Sequence, residues 1–472
     1  MNTPLTKKIN ARGEILIYLL IIVFLFTTMM LPIVTNVTTE ARAGTASQNR
    51  ELALQIAEAG ISYYQWHLAH FQADYKDGTS GSCSATCGPY VHAYVDTDTG
   101  QTIGTYSLTI TPPTTGSTIV TIASKGYTAA NPSITRTITA RYGIPSLALY
   151  SFLSNSVIWI GSTETVNGMM QSNNGIRFDG SANAPIMSTK TTYTCPSSQG
   201  SPCPHSEPGI WGSASATVKS FWQYPVPAVD FSALTSNLSS LKSNAQDTGI
   251  YLAPSGTNGY SLTFKSDGTV DVRKVTSLVS EPTGTDTDGN SHNENIDYSA
   301  RSTATNYAVP ANGVIYVEDN TWVEGTVKGR VMVAAANLPY SASTAPTIYI
   351  PNNLVYAAKD GTNVLGLLAQ NDLVVTYGAP STLEIDAAMI AQNGSVQTFN
   401  YSGNPGVVKS SITVFGSIMS YGLWTWSYVS GSTIVSGYTN TTDTYDTNLI
   451  YGPPPVFPLS SSGYQQLSWV SD

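Results

Sequence analysis

Between Ile15 and Thr35 the chain carries no charged residue, and this run constrains its fate more than any other stretch. As a helix rising 1.5 Å per residue it would cover about 30 Å, the thickness of a hydrocarbon core. Lys7, Lys8 and Arg12 lie just before it. By the positive-inside rule they hold the N-terminus in the cytoplasm and place everything beyond residue 36 outside. A cleaved secretory signal is the competing reading. It is disfavoured because the run is longer than an ordinary signal core and no small-x-small site follows directly.

The rest of the chain suits an external setting. Only 11% of the 472 residues are charged, against roughly a quarter in an ordinary soluble domain, while there are 28 Tyr, 39 Gly and 26 Pro. Strands and turns fit such a mixture, and the aromatic content is too high for a disordered chain. Dropping the first thirty-six residues removes three basic and one acidic residue, taking the formal charge from −9 to −11. No Lys/Arg cluster follows, so binding of nucleic acid is excluded as a function class. Cys83, Cys87, Cys195 and Cys203 form two close pairs, read as short-loop disulfides, although three connectivities are possible. Zinc held by Cys203 and His205 is the weaker alternative, because the spacing matches no CxxC pair.

The apolar run continues into a second helical segment. From Asn36 to Phe71 there is no proline, and Leu52, Ile56, Tyr63 and Trp66 approximate a helical stripe, so a long helix kinked at Pro32 is expected. From Glu14 to Phe71 it would extend about 85 Å, and its outer half must pack on a head domain or another copy. Arg12-Gly13-Glu14-Ile15-Leu16-Ile17, the apolar core, and Asn49-Arg50-Glu51-Leu52-Ala53-Leu54-Gln55-Ile56-Ala57-Glu58-Ala59-Gly60-Ile61 together resemble the N-terminal helix of PilX-type minor pilins of the type IV pilus. The resemblance spans roughly residues 8–70. It implies cleavage after Gly13 by a prepilin peptidase, a new N-terminus at Glu14, and packing of the apolar helix among other pilin subunits by the pilus assembly machinery. One departure is clear. Major pilins carry a glutamate five residues into the mature chain, where this sequence has Tyr18.

The external region divides by pattern into a loop and a small antiparallel β unit (72–143), a parallel β-helix head (144–180 and 311–472), and an inserted loop, helix and strand region (181–310). Residues 1–13 are the cytoplasmic leader and 14–71 the membrane-spanning and extended helix. Within the insert, Asp230 is a plausible N-cap for a helix through Phe231, Leu234, Leu238 and Leu241. From Val314 onward short apolar strands recur with Asn and Gly between them. They favour a solenoid over a sandwich, with strands stacked at about 4.8 Å. The fold class is therefore mainly β, with a long N-terminal helix. Tyr445-Asp446, Pro453 to Pro458 and Ser468-Trp469 also resemble the tail of secreted pilin-like proteins with such a head.

Three constellations offer chemistry. Asp286, Asp288, Asn290, Glu294 and Asp297 follow the order of a calcium loop, but Ser291 stands where the sharp turn wants glycine, and a solvated turn is the rival reading. Glu384 and Asp386 share one strand face, as the carboxylates of β-helix glycosidases do, against an outward polar ladder. His67, His70 and Asp74 have metal-like spacing, yet Trp66 and Phe71 beside them argue for a packed helix face. No cofactor signature is present. Two function classes compete. The first is a membrane-anchored structural and adhesive pilin-like subunit of a type IV pilus or pseudopilus, with Ile15–Thr35 in lipid and an unknown adhesion target. The second is a membrane-tethered β-helix enzyme that degrades polysaccharide.

Overall fold

The computed structural model describes residues 12–83, 85–231, 238–280, 282–431, 433–460 and 462–472, with side chains from Ile15 onward. Lys7, Lys8 and Leu234, and the side chains of Arg12 and Glu14, lie outside the described residues. By contact the chain divides into two units. The first holds the N-terminal helix, residues to Pro112, Val120–Tyr142 and Gln466–Asp472, and the second holds Pro113–Ile119 and Gly143–Gln465.

In the first unit one helix, α1 (Arg12–His70), runs unbroken through Pro32. Its second half lies on an antiparallel sheet of β1 (Cys87–Val95), β2 (Thr102–Thr111), β3 (Ile119–Thr128) and β4 (Thr135–Gly143), closed at the far edge by the C-terminal strand Gln465–Ser471. In β2 and β3 every second residue is buried. Leu108, Ile110, Val120, Ile122, Ile138 and Ala140 face the helix fully buried, and helix residues Ala53, Ile56, Ala57, Ile61, Tyr64 and Leu68 meet them. The expected stripe is shifted. Ile56 is in it, but Leu52 and Tyr63 are only half-buried and Trp66 is 54% exposed. Small residues set the phase. At Gly126 a Cβ would collide with the carbonyl of Ala53 and with Ala57, so helix and sheet approach as closely as two backbones can.

The second unit is a parallel solenoid whose strands stack in three ladders. In one inward-facing column the registered partners run Ile250, Ile315, Val333, Leu367, Met389, Ile418, Phe152, Met170, Ile186, Trp222. Burying this column, with its counterparts on the other ladders, gives the unit one continuous core. Turns between ladders need special backbone only at corners. At Gly416 φ is +151° and a Cβ would strike the Ala387 carbonyl, so the 408–420 strand bends there from one ladder to the next.

That column also reveals the chain order. The solenoid starts at its middle with Phe152, climbs to Trp222, and crosses back over 224–249. It restarts at the opposite end with Ile250 and climbs again until Ile418 pairs with Phe152. The return segment and the tail cover the outside of the first ladder. Phe231, Leu238, Leu241, Ala245, Leu449 and Phe457 pack on Val314, Tyr316, Met332, Leu368, Ile390 and Met419, so those strands are apolar on both faces. The region 181–310 is therefore no simple insert, since Ile186–Ser188, Ile250–Leu252 and Tyr260–Lys265 are solenoid strands. Of the expected helix, the described part is Leu238–Asp247.

Candidate functional site

The chemistry the sequence points to is concentrated on α1. Its most apolar window has a mean hydropathy of 2.6, and none of that window is buried. Ile15 is 70% exposed, Phe24 67% and Met29 73%, far beyond what a soluble monomer shows. The hydroxyls inside the run are internally satisfied. Thr27 donates to the Val23 carbonyl at 2.9 Å, Thr28 to Phe24 at 2.9 Å and Thr35 to Leu31 at 3.0 Å, so they bring no unmet polarity into an apolar medium. Tyr18 stands on the same exposed stretch, 64% accessible. A helix that is bare and apolar in its first half and sheet-packed in its second can anchor in lipid or bundle with like helices.

The cysteines pair as Cys83–Cys87 and Cys195–Cys203. His205 turns to Glu207, Nε2 to Oε1 3.1 Å. On the last turn of α1, His67 Nε2 sits 3.2 Å from Asp74 Oδ2, while His70 Nδ1 engages the Trp66 carbonyl at 2.8 Å. Their shared spacing is thus used by two separate contacts.

The calcium-loop residues are not gathered around one point. Asp286 accepts the backbone N–H groups of Asp288 and Asn290 at 2.9 and 2.8 Å, and its Oδ2 lies 2.7 Å from His292 Nε2. Asp297 caps Ser299 at 2.9 Å. Glu294 is fully buried elsewhere, accepting from the Tyr401 hydroxyl and from the Tyr377 N–H, and burial pushes its carboxyl up. Among the described residues no group of three or more His, Cys, Asp or Glu is placed to hold a metal. The reason is local. Asp286 is folded onto its own loop, and its oxygens are already occupied.

Glu384 and Asp386 do share a face, and a lysine occupies it. Lys359 Nζ lies 2.7 Å from Glu384 Oε1 and 2.8 Å from Asp386 Oδ1, and the Tyr356 N–H donates to Asp386 Oδ2 at 2.8 Å. Burial holds the Asp386 carboxyl up while Lys359 pulls the other way. Lys359 neutralises both carboxylates, so neither stands free to act on a substrate.

Several buried ionisable groups carried no signal in the sequence. Lys409 Nζ donates to the carbonyls of Tyr377 and Ala379 at 2.8 and 2.6 Å, and burial pushes its ammonium down to about 8. The guanidinium of Arg330 reaches the carbonyls of Gly116, Gly361, Gly452 and Pro453. Asp443 is 3% exposed with one oxygen unpartnered. Depth, not residue type, marks these groups, and a single sequence does not display depth.

No family model matches the chain, and no curated protein matches it. Among solved structures, the chain is similar to that of the competence-associated pilin ComZ from Thermus thermophilus. The match has TM-score 0.30 and 13% identity, and covers 90% of this chain and 97% of that one. At this TM-score the likeness establishes neither fold nor function.

Proposed function

We propose that the chain is a pilin-like subunit, anchored by Ile15–Thr35 and displaying the β-rich region outside the cell for contact with surfaces or partners. One observation carries this reading: α1 is a single continuous helix, uncovered and apolar at the start and locked onto a sheet at its end. Exposed apolar helices are stable in lipid or against one another, and a pilus subunit needs both states in turn. The resemblance of residues 8–70 to PilX-type minor pilins supports cleavage between Gly13 and Glu14 by a prepilin peptidase. Removal of Lys7, Lys8 and Arg12 would free the helix of cations that cost a few kcal/mol each in an apolar core. The polysaccharide-degrading alternative is disfavoured because Lys359 occupies the face that Glu384 and Asp386 would offer.

The test is Gly13→Leu. We expect full-length protein in the membrane fraction and none in sheared surface filaments, while the wild type yields a filament species beginning at Glu14. Equal recovery of the variant in filaments would overturn the pilin reading and leave a membrane-anchored surface protein.

A further inference from the structure

The solenoid core is apolar almost throughout, and the exception lies at a particular place. On the third ladder two inward columns run in register. One reads Leu354, Ile385, Val414, Asp443, Val166, and its neighbour Leu383, Ile412, Thr441, Glu164. The polar residues enter where strand Thr433–Tyr445, the last rung of the second climb, stacks on Glu164–Asn167, the first rung of the first. On this ladder that stacking joins the two halves of the chain.

The side chains there are poorly served. Asp443 is 3% exposed and its Oδ1 has no partner; Thr441 is 2% exposed and its hydroxyl has none. Glu164 is half-buried as a residue but its carboxyl is enclosed, with Oε2 accepting only the Gly161 N–H at 2.7 Å. Among the described residues no cation is paired with them. The 408–420 strand presents Ile412 and Val414, and the 424–426 segment presents Trp424 and Trp426. On their own strand Tyr438 gives its hydroxyl to the Pro380 carbonyl at 3.0 Å, and Lys409, over that ring, is held by carbonyls. Asp179 acts on Glu164 from the next rung, but it is already paired with Arg177 at 2.8 Å. Two enclosed carboxyls without a counter-ion are tolerated in the neutral form and repel when charged.

We propose that this rung is a pH-sensitive joint, kept closed by protons on Asp443 and Glu164 and loosened when both ionise. The titration supports the geometry. Burial, followed by the charge of Glu164, pushes Asp443 up to about 8, and burial pushes Glu164 up to about 7, against 3.8 and 4.5 for free groups. The folded chain therefore holds protons that the unfolded chain has released. Their contribution is complete below about pH 4 and is lost as pH rises through 7 to 8. The joint is closed in mildly acidic surroundings and loose in alkaline ones.

Hydrogen exchange on the full chain in detergent tests this, with protection factors corrected for the intrinsic pH dependence of exchange. Between pH 6 and pH 9, protection in 437–445 and 164–167 should fall at least about tenfold relative to 314–335, one pKa unit being a factor of ten. In Asp443→Asn the difference between the two pH values should shrink to the part that Glu164 contributes. Glu164→Gln carries the same test if the asparagine variant does not fold. Equal protection of the wild type at both pH values, or an undiminished loss in the folded variant, would overturn the joint.

Discussion

Arg330 holds more backbone than any other described side chain, and a planar fork explains why. Its Nη1 donates to Gly361 at 2.9 Å and its Nη2 to Gly116 at 2.9 Å and Pro453 at 2.7 Å, so a single guanidinium ties three segments of the second unit. Burial pushes its pKa down from the usual arginine value without removing the charge. Arg330→Ala leaves several buried carbonyls unpaired and should cost about 3 kcal/mol in urea unfolding. Arg330→Lys should recover only part, because an ammonium does not span that geometry. At this scale the sequence was uneven as a guide. The close cysteine pairs read as short loops and the structure joins them so, whereas Arg330, Lys409 and Asp443 looked like any other sparse charge. Charge-poor composition was itself the available clue, since few charged residues leave each one a structural task.

The elements show where the pattern was legible and where it misled. The long helix and the short strands followed from hydrophobic spacing, but the phase of the α1 stripe did not. A stripe drawn through Leu52, Tyr63 and Trp66 follows bulk, while the actual contact is built on Ala53, Ala57 and Gly60, which bring the backbones together. Gly126→Val should therefore push α1 off its sheet and lower the unfolding midpoint of the first unit by several degrees, about as much as a buried charge in Ile56→Asp. Calorimetry on the detergent-solubilised chain reads both, and an unchanged midpoint for either would mean that the helix face is not packed as described. The solenoid rungs had a readable signature that spacing alone concealed. Ala369-Gln370-Asn371 and Ala391-Gln392-Asn393 occupy the same corner of successive turns, as do Ser154-Asn155-Ser156 and Ser172-Asn173-Asn174. Turn lengths differ between those rungs, so no fixed period emerges. The Cys195–Cys203 bridge closes a short loop, and reducing it should cost about 2 kcal/mol by chain entropy.

Across the whole molecule, what the sequence withholds is pairing over long separations. The strand Gln465–Ser471 completes the sheet of the first unit more than three hundred residues after β4, and nothing local announces it. Ending the chain after Gly463 should lower the midpoint of the first unit by several degrees, measured by the loss of protection in β4. The return segment is equally invisible from sequence. Leu241→Asp should uncover the outer face of the first ladder and raise binding of a hydrophobic dye, whereas substitution of the exposed Ser239 should not. The crossing of 224–249 has one more consequence. Because the solenoid is joined to the rest of the chain at its waist, both tips of the stack are internal to the sequence and close on themselves. Turns can be spliced in or lost at either tip, through residues 189–249, without shifting the points where the stack is tethered. The length of the stack and its points of entry in the sequence are thus separate variables in this architecture.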